Sequence, residues 1–192
     1  MHFDGNDSEV SSEKLATFFH FLYSKHHNSS HIHHTHHLIL NIRTKKHRAS
    51  STWKHDTRKF GPLNAINNNT EDAWKSAQSE EGTDPLAYFE IDFHRPVNVK
   101  ELRIQFQGGF VGMDCIVYKK CGNENNEDWE ECEDLFLDPI DSNEVQTFVS
   151  EEEEDDNAGG KCNAIRIEFG RGTDFYGRIV IYSLEVWGKE SS

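Results

Sequence analysis

Residues 102–110 have the sequence LRIQFQGGF, in which apolar side chains stand at every second position from 102 to 106 and a glycine pair follows. Alternation with a period of two is typical of a β-strand that buries one face and leaves the other in water. A glycine pair is typical of a turn. The stretch therefore predicts a strand that ends in a loop, with Phe110 placed on that loop.

The same alternation is found in three other stretches, residues 89–93, 165–169 and 180–186. Between them, an Arg-Pro pair at 95–96 and an Arg-Gly-Thr triplet at 171–173 supply turn signals. No pattern of a long amphipathic helix is present after residue 50. Because short strands joined by irregular loops favour a sandwich or jelly roll over a parallel sheet, we predict an all-β fold.

The beginning of the chain has a different composition. Residues 26–37 are dominated by His, Ser and Asn and have no usable apolar period. Such a composition buries too little surface to offset the conformational entropy of the chain. We therefore predict a disordered His-rich tail over residues 1–47 and one folded domain over residues 48–189. Within that domain, residues 124–156 hold sixteen of the 34 acidic residues and predict exposed acidic loops inside 122–160.

The formal net charge of −14 at pH 7 restricts the partners. General nucleic-acid binders and proteins that dock to anionic membranes need a basic face, so we expect neither kind of partner. No apolar run approaches the roughly 20 residues that span a bilayer. The early apolar segment at 15–23 lacks the features of a secretory leader. We therefore expect a location in the nucleus or the cytoplasm, with the four cysteines as free thiols.

Several stretches resemble a known family in their order, spacing and sequence. They are SST and TRKFG within 50–61, EDAWKS at 71–76, QFQGGF at 105–110, VQTF at 145–148, TDFYGR at 173–178 and LEVWG at 184–188. The chain resembles the discoidin-like (coagulation-factor C-type, galactose-binding-like) domain proteins, and among these the small nuclear receptor-associated proteins of the testicular-receptor co-repressor type. The resemblance covers about 140 of the 192 residues, and QFQGGF and TDFYGR are its most specific motifs.

The resemblance implies an eight-stranded discoidin-like jelly-roll sandwich that has no catalytic machinery and binds through loops at one end. It further implies a non-catalytic protein-interaction module, an intracellular adaptor or transcriptional co-regulator whose partner is a protein such as a nuclear receptor. A carbohydrate-binding, lectin-like module is the alternative, because the same loops bind glycans in other members. The sequence contains no G-x-S-x-G, H-E-x-x-H or C-x-x-C motif, and we expect no enzyme activity.

The loops that the strand pattern leaves at the end of the sandwich are the expected binding region, because binding residues concentrate on loops held by a rigid scaffold. The residues predicted to contact a partner are Phe110, Arg171, Asp174, Phe175 and Tyr176. For Asp174 a second interpretation stays open, since it stands four residues before Arg178 and an internal salt bridge between the two is equally consistent with the sequence.

An asparagine-rich loop at 64–74 contains oxygen donors of the kind that calcium prefers. Asn67, Asn69 and Asp72 supply side-chain oxygens there, and the resemblance to sugar-binding members adds Glu185 from the last strand as a fourth ligand. The family commonly has an aspartate where this chain has Asn67, which weakens the site. The alternative interpretation is a turn that holds Trp74 against the core, with no metal, so a structural calcium ion is a hypothesis only.

Three of the four tryptophans, Trp53, Trp74 and Trp187, lie in or beside strand-like stretches. We expect these three in the core, because buried aromatic rings contribute much of the stability of a small sandwich. Trp129 lies in the acidic segment, and we expect it to be the most exposed.

Overall fold

The computed structural model describes residues 38–39, 46–67, 69, 71–79, 86–121, 128–151 and 161–190. These residues all belong to one unit, His37–Ser192. The predicted disordered tail lies outside the described residues except for positions 38–39 and 46–47. The acidic stretches 122–127 and 152–160 also lie outside the described residues. No described helix is long and apolar enough to cross a membrane.

Nine strands are present in the described part of the chain, and three of them contain only two residues. They are β1 (Leu38–Ile39), β2 (Lys46–Ala49), β3 (Trp74–Lys75), β4 (Ala87–Phe106), β5 (Gly112–Lys120), β6 (Glu130–Glu131), β7 (Val145–Val149), β8 (Lys161–Gly172) and β9 (Val180–Glu190). Between β2 and β3 lie a 3₁₀ turn (Trp53–His55), the short helix α1 (Thr57–Phe60) and a second 3₁₀ turn (Pro62–Ala65). The predicted all-β fold is confirmed, and its sheet structure begins before the predicted boundary at residue 48.

Strand β4 is twenty residues long and takes part in both layers of the sandwich. Its first part pairs with β2 and β8, from Ala87 opposite Phe169 onward. Its last part pairs with β7 and β9, ending with Phe106 opposite Ile181. One layer therefore has the order β2–β4–β8–β5–β6, and the other places β7, β4 and β9 side by side, with β1 and β3 on the far edge of β9. All of these pairings are antiparallel.

The change of layer occurs at a bend between Asp92 and Val97, where the register of β4 shifts. His94 has a φ of 54°, which is uncommon for a residue other than glycine. Its backbone N–H donates to the Asp92 carboxylate over 2.8 Å, which compensates for pairing lost at the bend. The Arg-Pro pair at 95–96 was predicted to be a turn between strands, and this prediction is wrong, because the pair lies inside one bent strand.

The core is formed by the alternating apolar residues that the sequence predicted. Phe89, Ile167 and Phe169 from one layer, and Ile104 and Phe106 from the other, are essentially inaccessible to water. Aromatic rings join the two layers, since Phe106 and Phe169 make an edge-to-face contact with ring centroids 6.2 Å apart. Trp74 contacts Phe89 in the same way at 5.3 Å. The period-two pattern therefore identified the buried faces correctly.

Of the four tryptophans, all of which are described, Trp74 is fully buried, as predicted. Trp53 and Trp187 are half-buried, so the prediction that they lie in the core is wrong. Trp187 alternates with the buried Val186 and therefore faces outward, where the Arg103 guanidinium lies 4.1 Å from its ring centroid. Trp129 is also half-buried, because it lies against Arg166.

The strand register defines two ends of the sandwich. At one end, which we call the loop end, β4 begins and finishes, β8 finishes and β9 begins. At the opposite end, which we call the bend end, β4 changes layer, β5 finishes and β8 begins. The acidic region between β5 and β8 leaves β5 and enters β8 at the bend end, whereas its part around Asp141 lies at the loop end.

Candidate functional site

Two loops of the loop end, residues 107–111 and 173–179, are fastened to each other. The backbone N–H of Val111 donates to the Thr173 hydroxyl oxygen (2.9 Å), and the N–H of Thr173 donates to the Val111 carbonyl (3.0 Å). The N–H of Val180 donates to the Phe110 carbonyl over 3.0 Å. These bonds place the predicted contact residues of both loops on one rigid surface.

The glycine pair predicted to form a turn is held from the other side. Gly109 has a φ of +78°, which side chains other than glycine adopt at a cost. Its backbone N–H donates to the Asp141 carboxylate (2.7 Å), and the N–H of Gly108 donates to the Asn143 side-chain oxygen (2.8 Å). Part of the acidic segment therefore clamps the loop that carries Phe110.

Asp174 and Arg178 form a bidentate ion pair, with Nε–Oδ2 and Nη2–Oδ1 distances of 2.9 Å and 3.1 Å. The side chain of Asp174 is only 10% exposed. Its Oδ2 also accepts from the backbone N–H groups of Tyr176 and Arg178, each over 3.2 Å. The side-chain hydrogen bond from Arg178 lowers the pKa of Asp174 and outweighs the burial that acts in the opposite direction. Asp174 therefore works as a brace inside the loop.

Three aromatic rings surround the Arg178 guanidinium. Its central carbon lies 5.0 Å from the Phe110 ring centroid, 5.2 Å from that of Trp53 and 5.5 Å from that of Tyr176. A guanidinium within about 6 Å of a ring face is attracted by the quadrupole of the ring. The three rings come from three separate segments, and Arg178 joins them into one surface.

A groove next to Arg178 has an internal volume of about 130 Å³. Its lining consists of Trp53, Phe60, Lys75, Gln107, Phe110, Arg178 and Val180. The groove combines apolar ring surface, two cationic side chains and one amide. A surface of this composition suits a ligand that has both apolar and polar or anionic groups.

Beside the groove, Phe175 is 93% exposed and Tyr176 is 54% exposed. Their rings touch edge to face with centroids 5.2 Å apart. The brace formed by Asp174 and the hydrogen bond from Gly177 N–H to the Asp174 carbonyl (2.9 Å) hold the turn that carries both rings. An aromatic ring this exposed on a fixed turn is available for contact with another molecule.

The structure brings four of the five predicted contact residues to this surface: Phe110, Asp174, Phe175 and Tyr176. Arg171 is not part of the groove lining, because its guanidinium is engaged by Asp114, with Nε–Oδ2 and Nη2–Oδ1 distances of 2.9 Å and 3.2 Å. Of the predicted contacts, only Phe110 lines the groove itself. The other six lining residues were not predicted as contacts: Trp53, Phe60, Lys75, Gln107, Arg178 and Val180. For Trp53, Phe60 and Lys75, the alternation of Lys and aromatic residues around α1 was the one available signal, and it is weak.

The asparagine-rich loop is closed by its own hydrogen bonds. The side-chain amides of Asn67 and Asn69 donate to Asp72 Oδ2 over 3.3 Å and 2.9 Å. The Glu185 carboxylate accepts from Trp187 Nε1 over 3.0 Å. Asn and Asp oxygens fit the donor preference of calcium, yet Asp72 is the only carboxylate among the three predicted loop ligands. Among the described residues no three His, Cys, Asp or Glu side chains form a metal-binding group. Calcium therefore stays a prediction.

The described cysteines are free, and burial controls their chemistry. Burial raises the pKa of Cys115 and of Cys162 to about 12. Because the thiolate is the reactive form, both thiols are poor nucleophiles at neutral pH.

The sequences of related proteins align with most of this chain. The nuclear receptor 2C2-associated protein of Danio rerio is 31% identical over 143 residues, which is 74% of this chain and 90% of the relative. The human protein of the same name is 31% identical over 144 residues, with coverage of 74% and 91%.

Solved structures share the fold at low sequence identity. The F5/8 type C domain of a Bacteroides fragilis protein superposes with a TM-score of 0.61 at 13% identity, covering 81% of this chain and 98% of that domain. A chitosan-binding module of a Paenibacillus chitosanase/glucanase gives 0.60 at 13% identity, with coverage of 79% and 100%. The family 32 carbohydrate-binding module of Clostridium perfringens NanJ, solved with galactose, gives 0.56 at 16% identity, with coverage of 79% and 98%.

A sequence profile of the F5/8 type C domain matches residues 46–176. That range contains the strands β2 to β8 and the loops that build the groove, apart from Arg178 and Val180. Together with the relatives, this match identifies the chain as a member of the F5/8 type C (discoidin-like) domain family, of the kind represented by the nuclear receptor 2C2-associated proteins.

Proposed function

We propose that this chain is a non-catalytic protein-interaction module that docks a partner protein on its loop end. The observation that carries the proposal is Phe175, a 93% exposed ring on a turn that Asp174 braces from inside. Apolar rings exposed to this degree lose much water contact on association, and aromatic residues are enriched among the residues that dominate binding energy. Tyr176 beside it adds a second such ring with a polar tip.

The rigidity of the loop end favours binding energetically. Association costs the entropy of every side chain and loop that becomes ordered. Hydrogen bonds between Val111 and Thr173, and between Gly109 and Asp141, already fix both loops before a partner arrives. A preorganised surface therefore keeps a larger share of the interaction energy as affinity.

The name of the relatives supports a finer version of the proposal. Proteins called nuclear receptor 2C2-associated are about 30% identical to this chain over most of its length. We propose an adaptor or transcriptional co-regulator that works in the nucleus or the cytoplasm, with a regulatory protein such as a nuclear receptor as its partner. No direct contact with nucleic acid or membrane is part of this proposal.

Carbohydrate binding is the second candidate, and the groove itself favours it. Ring faces of Trp53, Phe60 and Phe110, with the amide of Gln107 among them, are the kinds of group that contact the faces and hydroxyls of sugar rings. Proteins of the same fold include the galactose complex and the chitosan-binding module described above. Protein docking depends on Phe175 and Tyr176, whereas carbohydrate binding depends on the groove residue Trp53. Mutations at these two sets of residues therefore distinguish the two candidates.

The test is an affinity capture from native cell extract with the full chain as bait. A Phe175→Ala, Tyr176→Ala variant runs beside a Phe136→Ala control, whose 73% exposed ring lies on the segment between β6 and β7. Captured proteins are identified by mass spectrometry and their binding is reproduced with purified components. We expect a partner that the double variant loses and the control retains.

Two results would overturn the protein-docking proposal. One is a purified partner that binds the double variant and the wild type equally. The other is a glycan-array signal that a Trp53→Ala variant loses, in the absence of any reproducible protein partner, and this result would establish the second candidate.

A further inference from the structure

Several cations near the loop end have no ion-pair partner in the part of the chain that the structure describes. Lys54, Arg58, Lys59 and Lys75 have no carboxylate within 4.0 Å among the described residues. The acids of the same segments are already engaged, because Asp56 accepts from the backbone N–H of Lys59 (3.0 Å) and Asp174 pairs with Arg178. In a chain with a net charge of −14, a group of unneutralised cations is unexpected.

Phe60 stands at the centre of this group. The Lys59 and Lys75 ammonium nitrogens lie 5.3 Å and 5.4 Å from its ring centroid. Attraction by the ring stabilises each ammonium group, yet the two like charges beside the same ring repel each other. An anion that contacts both would remove this repulsion.

Arg178 adds a directed donor to the lining of the groove. Its Nε and Nη2 atoms bind Asp174, whereas Nη1 makes no hydrogen bond within the described part of the chain. The guanidinium is fixed by three rings and one carboxylate, so this remaining nitrogen is held in place. A carboxylate in the groove can therefore meet one oriented donor as well as two mobile ammonium groups.

We propose that this groove binds carboxylate side chains of an acidic peptide segment on the partner protein. The inference rests on the proposed protein-docking function and gives the partner a chemistry: acidic residues enter the groove at Phe60, Lys59, Lys75 and Arg178, and a neighbouring apolar residue packs on Phe175 and Tyr176. The net negative charge of this chain then opposes binding of an acidic segment at other sites, which gives the groove its selectivity.

The dimensions of the groove favour a peptide over an extended anionic surface. About 130 Å³ accommodates one or two carboxylate side chains and no broad surface. Exposed Asp141 lies beside the loop that carries Phe110 and would repel a membrane or a nucleic-acid duplex lying across the loop end. Because screening limits charge interactions to about 8 Å at physiological salt, a narrow acidic segment feels the groove cations more than this acid.

A direct titration tests the inference with a defined probe. The probe is a fluorescein-labelled 12-residue peptide with a Glu-Glu-Phe-Glu-Glu core between Gly and Ser residues, and its counterpart has Gln in place of every Glu. Fluorescence anisotropy with the full chain measures both dissociation constants at low and at physiological salt. We expect the acidic peptide to bind at least tenfold more tightly than the Gln peptide, with affinity falling as salt rises.

Two matched double variants distinguish the effect of charge at the groove from the effect of the net charge of the chain. Lys59→Gln, Lys75→Gln removes one cation that lines the groove and one that lies against the ring of the lining residue Phe60. Lys46→Gln, Lys161→Gln removes two exposed cations from elsewhere in the sandwich. We expect at least tenfold weaker binding for the first pair and less than twofold for the second, with unchanged melting temperatures. Equal losses for both pairs, or equal binding of the Glu and Gln peptides, would overturn the inference.

Two further measurements distinguish this inference from the proposed function. If a purified partner binds the Lys59→Gln, Lys75→Gln variant like the wild type but loses affinity for the Phe175→Ala, Tyr176→Ala variant, docking stands and the acidic-segment inference fails. Vesicles of phosphatidylcholine with 30% phosphatidylserine form a separate arm. Vesicle binding that depends on Lys59 and Lys75, without peptide binding, would also overturn the inference in favour of a lipid surface.

Discussion

Two acid–arginine pairs stand on either side of the exposed turn at the loop end, and they have the same chemistry in different surroundings. Arg171 and Asp114 face each other where β8 ends and β5 begins, and both side chains are about 60% exposed. Asp174 and Arg178 lie where the chain enters β9, with Asp174 10% exposed and two backbone N–H groups bound to its carboxylate. The Arg171–Asp114 pair lies on the surface in contact with water, whereas the Asp174–Arg178 pair holds the backbone of the loop in its conformation.

The difference shows that residue type in a loop does not assign a role until burial is known. Arg171 and Asp174 were predicted together as partner contacts, three positions apart. Exposed ion pairs contribute little stability because water and salt screen them, whereas a carboxylate that also satisfies backbone donors cannot be removed without leaving those donors unpaired.

Removal of each acid gives the largest contrast. We expect Asp174→Ala to lower the free energy of unfolding by about 2 kcal/mol, because Arg178 and two backbone donors lose their acceptor. We expect no measurable change for Asp114→Asn, because asparagine tolerates the φ of 52° at this position and the Arg171 partner stays solvated. Urea denaturation followed by tryptophan fluorescence measures both variants, and similar losses would contradict the distinction between brace and surface pair.

The stabilisation by Asp174 should depend on pH. The pKa of Asp174 is lowered in the folded protein, so its contribution to stability is complete above the unfolded pKa of about 3.9 and is lost as pH falls further. The stability gap between wild type and Asp174→Asn should therefore be constant from pH 7 to pH 5 and close below about pH 4. Urea titrations at each pH measure it, and a gap that persists unchanged at pH 3 would refute this assignment.

Replacement of the cation tests whether geometry or charge matters in the buried pair. We expect Arg178→Lys to lower the free energy of unfolding by about 1 kcal/mol, because an ammonium group cannot form the bidentate contact or lie flat among three rings. Arg171→Lys should leave stability unchanged, since its exposed pair needs no fixed geometry. Thermal unfolding measures the stability of both variants. If Arg178→Lys is as stable as the wild type, positive charge at this position is sufficient and the bidentate geometry is not needed.

Calcium should have the smallest effect. The predicted loop ligands Asn67, Asn69 and Asp72 include one carboxylate, and they already form internal hydrogen bonds with each other. We expect millimolar calcium to raise the melting temperature by about 1 °C relative to an EDTA control, and Asp72→Ala to abolish that rise. Equal melting temperatures with calcium and with EDTA would remove calcium from the list of ligands.

The sequence predicted those features that depend on local pattern. Alternation at 165–169 and 102–106 identified buried faces because the side-chain period of a strand is fixed by its backbone geometry. Phe175 and Tyr176 were found because a glycine-flanked stretch before a strand is a loop in almost any fold. These inferences needed no knowledge of which strands are neighbours.

Features that depend on tertiary pairing were beyond the sequence. Trp53, Phe60 and Lys75 reach the groove only because α1 and β3 are brought beside β9, and nothing local distinguishes a core tryptophan from one that lines a groove. The bend in β4 was mistaken for a turn because Pro96 is a turn signal. The context that keeps the chain extended there, pairing with Cys162 and Glu190 at Val97, lies far along the chain.

The shared strand β4 has a consequence for how the protein opens. The first part of β4 is a central strand of one layer, and its last part is a central strand of the other. Separation of β4 from its neighbours in one layer therefore disturbs its pairing in the other layer. Amide protons of β8 and β9 should therefore exchange with solvent through one common opening event, with similar protection on opposite layers. A domain of this construction is expected to melt in a single transition, as if its two layers were one.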